Sequence, residues 1–222
     1  MSDVQSNYPR MSDPAPDGID MSKLYNAAQK GQSYLWAMGL AMLITSIATV
    51  TGHPLDKQEG ILRAIASMPL VMGILTAIQL FKWSSQAHQI TCQLRGYSPR
   101  IPSINVGMIC AFSFLLFFIP LSHTLDFLIV RSKNRDSETM NWKSLLSSSK
   151  LVNLFNLSIF LSFAIGAIAL FPIISNSVAA FVGLFSTLAL VAAMVFGTKI
   201  VEEVNKNLDE LFKPFKEQTI QV

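Results

Sequence analysis

Long apolar runs alternate with short polar segments along this chain. Four of the runs carry no Asp, Glu, Lys or Arg over 18 to 24 residues: 31–52, 64–81, 151–174 and 178–198. At 1.5 Å per residue each covers the roughly 30 Å of hydrocarbon in a bilayer. The pattern predicts four transmembrane helices, at about 33–51, 63–81, 151–173 and 178–199.

A fifth run, 106–121, has 16 residues, contains Pro120 and is followed at once by His123 and Asp126. A helix continuing through Pro120 would lose a backbone hydrogen bond and carry Asp126 toward lipid, at about 2.5–3.5 kcal/mol near mid-membrane. The expected solution is a re-entrant or interfacial hairpin over about 104–130, with one limb to Ile119, a break at Pro120 and a return limb from His123. Any irregular backbone at that depth would need the four spans to shelter it. The expected fold is therefore an all-α membrane protein with four spans and a Pro-broken hairpin; five transmembrane helices are the alternative.

Composition sharpens this picture. The chain is 51% hydrophobic and 14% charged with a mean hydropathy of +0.43, too apolar for an ordinary soluble domain. A cleavable signal would put basic residues directly before a short apolar core, whereas some thirty polar residues precede this first helix, which is expected to be retained. Cys92 and Cys110 show no disulfide framework and are expected to be free thiols.

Charge sets the orientation. With four spans, the 17 Lys and Arg residues divide 15 to 2, and only Lys57 and Arg63 face the far side; a five-span arrangement divides them 11 to 6. Basic residues stay on the cytoplasmic side. The expected location is a bacterial inner membrane, with both termini cytoplasmic.

At the amino end, residues 1–21, with Pro9, Pro14 and Pro16 among acidic and polar residues, are expected to form a disordered tail. The membrane domain follows at 22–199, opening with a short amphipathic segment at 22–32 laid along the interface. Tyr34 and Trp36 suit the headgroup level. Residues 200–222 read as a cytoplasmic amphipathic helix and tail, with Val201, Val204, Leu208, Leu211 and Phe215 on one stripe and Pro214 ending the helix. That stripe needs a partner, from this chain or another. Small residues at four-residue spacing predict close packing of the last two spans: Ser158, Ser162 and Gly166; Ala179, Gly183 and Thr187; and Ala189, Ala193 and Gly197.

Candidate chemistry is sparse. His88 and Cys92 at i, i+4, with His123 and Asp126 at i, i+3, could face one another as metal ligands across the hairpin. Ordinary interfacial hydrogen bonding is the plainer reading. Lys82, Arg95, Arg100, Arg131, Lys133, Arg135, Lys143 and Lys150 form a basic face toward lipid headgroups or a partner. Trp83, Tyr97 and Trp142 read as interface anchors, so nucleic-acid binding is not expected. Thr76, Gln79, Asn153 and Asn156 are neutral polar groups that bridge helices or line a polar path. No ionisable group lies mid-span, as ion-coupled carriers require, and neither a nucleophile paired with a base nor a paired carboxylate motif stands out.

Trp83, Ala87, Leu94, Ser98-Pro99, Phe118-Ile119-Pro120 and Trp142 stand in an order that resembles a bacterial family of small integral membrane proteins carrying a domain of unknown function. The resemblance covers about residues 30 to 212. It departs at Gln86, Ile90, His123 and Phe127, where the family has Arg, Asn, Asn and Pro. It implies a shared architecture and no activity.

These readings together predict a non-enzymatic accessory or scaffold subunit, without a cofactor. Its partners would be membrane lipids and a protein partner or further copies of itself. The competing classes are a solute or ion pathway formed by an oligomer and a metal-dependent membrane enzyme.

Overall fold

The computed structural model describes residues 19–53, 60–95, 101–116, 120–133, 149–169, 171 and 174–219. Among them all regular structure is helical: α1 (Met21–Val50), α2 (Ile61–Arg95), α3 (Ser103–Leu116), α4 (Pro120–Lys133), α5 (Lys150–Ile168) and α6 (Asn176–Thr219). Four of these, α1, α2, α5 and α6, are long and apolar enough to cross a membrane. The protein is an all-α membrane protein.

Helix lengths show that it is built in two layers. At 30, 35 and 44 residues, α1, α2 and α6 reach about 45, 53 and 66 Å, well past the ~30 Å of hydrocarbon. The excess all projects on one side, where a core of buried side chains unites Leu24 and Ala28 of α1, Trp83 and Ile90 of α2, Leu128 of α4, and Val204 and Leu208 of α6. Elsewhere the spans turn Leu40, Leu70, Phe160 and Phe185 outward at 58–72% exposure except where they meet one another. In a membrane protein such surfaces are covered by lipid.

Two helix extensions depart from expectation. Residues 22–32 do not lie flat along the interface but form the first turns of α1, capped by the Asp20 side chain, which accepts from the Ser22 and Lys23 amides. No proline interrupts the segment, and Leu24, Ala27 and Ala28 find a core to enter. Pro214 does not end α6, which runs on to Thr219. The carbonyl that loses its partner there belongs to exposed Glu210, where water can take its place. The expected Val204–Leu208 stripe is buried against this chain's own α1, α2 and α4; the Phe215 side chain lies outside the described residues. Pro69, which the hydropathy pattern did not single out, stands inside α2 without ending it, as transmembrane helices tolerate.

The hairpin forms from α3 and α4, which pack on each other. Pro120 is the first residue of α4, where its missing N–H costs nothing; residues 117–119 lie outside the described set. At 14 residues, α3 extends about 21 Å, too short to cross. It lies beside the end of α2: a Cβ on Gly107 would stand 2.8 Å from the Phe81 carbonyl oxygen and 3.0 Å from Ser85, and Ser103 bonds His88. Val106, Gly107 and Cys110 face inward, while Ile104, Met108, Phe112 and Leu115 point away from the protein.

Candidate functional site

Specific contacts fix the helices in register. The Ser46 and Thr187 hydroxyls are 2.8 Å apart, and a Cβ on Gly39 would meet the Met194 sulfur; each helix advances seven residues between these points, so α1 and α6 run antiparallel. Gly31 against Gln79, and Gly73 against Met38, set α1 on α2 in the same way. Phe155 against Gly197, and Gly166 against Ser186, set α5 on α6. The Ser186 hydroxyl also donates to the Ser162 carbonyl at 2.8 Å. The first ridge thus joins the last two spans through Ser162 and Gly166, and of the third Gly197 does so, while Ala193 lines a cavity. The second divides, with Thr187 facing α1 and nothing within 4 Å of a Cβ on Gly183.

This register brings together four exposed lysines, one from each span: Lys30, Lys82, Lys150 and Lys199. Projected onto α6 they fall between positions 199 and about 205, a band of about 9 Å. From each lysine to the far end of its helix is about 27 to 35 Å, which is the thickness of the hydrocarbon layer. The lysines form a belt at one level of the helices, with Tyr34 and exposed Trp36 close to it.

Just inside the belt is a cavity to which every helix contributes: Ala28, Trp83, Phe114, Leu125, Ile159 and Ala193, from α1 to α6 in turn. Its volume is about 90 Å³. It exists because α5 packs on α6 and α4 while, among the described residues, none of its Cα atoms lies within 8 Å of a Cα of α1, α2 or α3. Small side chains on α1 and α6 leave the space unfilled. The polar groups on its wall are mostly engaged: the Thr76 hydroxyl donates to the Met72 carbonyl, that of Thr198 to Met194, and the Trp83 indole N–H to the Asn205 side-chain oxygen at 2.9 Å. Gln32 and Gln79 supply the remaining polarity.

Of the residues expected to bind metal, His88 and Cys92 share a face as their spacing requires. The His88 Nε2 is 3.9 Å from the Cys92 sulfur, its Nδ1 is 2.9 Å from the Ser103 hydroxyl, and its ring stacks on Phe127 at 5.6 Å. These contacts clamp α2 to both limbs of the hairpin. Asp126 is half-buried on α4, the His123 side chain lies outside the described residues, and no three His, Cys, Asp or Glu side chains gather among those described.

The basic face also needs correction. Lys82 and Lys150 are exposed as expected, but Arg131 is only 3% exposed, with its guanidinium 5.0 Å from the centre of the Phe127 ring. Half-buried Arg95 donates to the Ser132 carbonyl at 3.0 Å, and Ser132 in turn accepts from Asn207 of α6 at 2.9 Å. Both arginines are thus engaged with the hairpin, Arg131 on the Phe127 ring and Arg95 on the Ser132 carbonyl. Arg100, Arg135 and Lys143, and the side chain of Lys133, lie outside the described residues. Lys30 and Lys199 join this face although the loop charges do not point to them; each is the first charge bordering an apolar run. No protein family, curated protein or solved structure among those compared matches this chain.

Proposed function

We propose that this is a non-enzymatic accessory or scaffold protein of the bacterial inner membrane. Its cytoplasmic face gathers anionic lipid headgroups and offers its hairpin layer to a protein partner. The observation that carries this reading is the belt of Lys30, Lys82, Lys150 and Lys199, exposed at one level, one on each span. A lysine near an anionic leaflet contributes about 1 kcal/mol, so four together give about 4 kcal/mol where their contributions add. The 15 to 2 division of basic residues supports placing this edge on the cytoplasmic side. The hairpin layer is suited to a scaffold because polar contacts between α2, α3, α4 and α6 tie it to the spans.

The test is purification from the source membrane in mild detergent, with mass spectrometry of every lipid and protein retained. Enrichment of anionic lipid over the bulk membrane, lost when all four belt lysines are changed to Gln, is the expected result. Retained lipid of bulk composition in both proteins would overturn the headgroup reading. A stoichiometric protein partner is expected as well, and a homogeneous assembly of this chain alone would overturn the accessory role.

A further inference from the structure

We infer that the cavity inside the lysine belt holds one acyl chain of a membrane lipid, entering sideways between α2 and α5. The inference rests on the reading above only for the level of the headgroup.

Depth identifies the occupant. The lining runs from Ala27 to Met38 on α1 and from Leu190 to Val201 on α6, eleven residues in each case and so about 16 Å. That is about half the ~30 Å hydrocarbon thickness, the reach of a chain in one leaflet. The lower end of the lining coincides with the belt: Gly31, Trp83 and Thr198 line the cavity beside Lys30, Lys82 and Lys199 in sequence. A chain seated here leaves its headgroup at the lysines.

The shape of the opening gives the route. Gln79 and Leu80 of α2 and Phe155 and Ile159 of α5 all line the space, and among the described residues no Cα of α2 lies within 8 Å of a Cα of α5. Phe114 and Leu125, one from each limb of the hairpin, complete the lining. With the gap opening to hydrocarbon, a chain enters without crossing water. The engaged hydroxyls of Thr76 and Thr198 leave the wall few polar demands that a hydrocarbon chain would fail to meet.

Trp83 reports occupancy directly, since it lines the cavity and is 1% exposed. With Trp36→Phe and Trp142→Phe it is the only tryptophan in the full-length protein. Reconstitution would use vesicles of phosphatidylcholine, or of phosphatidylglycerol, whose chains carry bromine as a contact quencher. The expected result is strong quenching of Trp83 relative to unbrominated vesicles, relieved when Ala193→Phe or Ala28→Leu fills the space. Trp83 emission equally bright in brominated and plain vesicles would overturn the inference, and so would quenching that neither filling variant relieves. Equal quenching by the two lipids supports the chain site while counting against the anionic preference. An absence of quenching in a protein that still retains anionic lipid through its lysines removes the chain site alone.

Discussion

The Trp83 indole N–H donates to the side-chain oxygen of Asn205 at 2.9 Å, joining α2 to α6 where both leave the membrane. Trp83→Phe keeps most of the packing and deletes the donor, at an expected cost of about 1 kcal/mol. Trp83→Ala also empties a buried site, at about 3–5 kcal/mol. Denaturant unfolding in detergent, followed by circular dichroism, measures both, and equal losses would show that the hydrogen bond, not the ring, holds the joint.

Two glycines should respond in opposite ways to alanine. Gly107→Ala puts a methyl group against the backbone oxygen of Phe81, which cannot turn aside, so α3 should lift from α2 at about 1–3 kcal/mol. Gly183→Ala meets nothing within 4 Å and should gain up to about 1 kcal/mol of helix propensity. Thermal stability of the two variants side by side is the measurement.

The start of α1 should depend on acid pH. Hydrogen bonds from Ser22 first, and then from Lys23, hold the Asp20 carboxyl below its ordinary value of 3.8. A group whose pKa is lowered on folding contributes its stability above the unfolded value and loses it as pH falls through the folded one. Amide exchange at Met21 to Leu24, corrected for intrinsic rates, should therefore accelerate below about pH 4. Asp20→Asn should keep the cap and flatten the profile.

Topology is open to labelling, because Cys92 and Cys110 are both buried. Single cysteines at exposed Asn26 and Lys213 should react with an impermeant reagent only from the cytoplasmic side, and one at Thr51 only from the other. Reaction of the first two from opposite sides would restore the five-span arrangement.

How far the sequence could be read follows from what each signal measures. Hydropathy counts residues per crossing, so the four spans and the Pro120 break were visible in it. It does not register where a span stops being a span, and Lys82 and Lys199 lie inside helices that simply continue. Charge was read as exposure, which failed at Arg131: Phe127, four residues earlier on the same face of α4, gives that guanidinium an aromatic surface to lie on. The hydroxyls of Thr76 and Thr198 are bonded within their own helices. The cavity had no local signature, since it is made by an absence of contact between α5 and helices distant in sequence, with small residues such as Ala28 and Ala193 as the faint trace.

The outward row of α3 has a mechanical consequence. Ile104, Met108, Phe112 and Leu115 are 41–60% exposed along α3, which passes the level of Lys82 near Gly107, while exposed Glu202, Lys206 and Glu210 occupy comparable depth on α6. The apolar girdle therefore has a deeper skirt on one flank than on the other. A bilayer meets such mismatch by tilting the protein or by deforming around it. The molecule would sit canted, with its α3 flank sunk into the leaflet, and neighbours distorting the same leaflet would be drawn to that flank by the membrane itself.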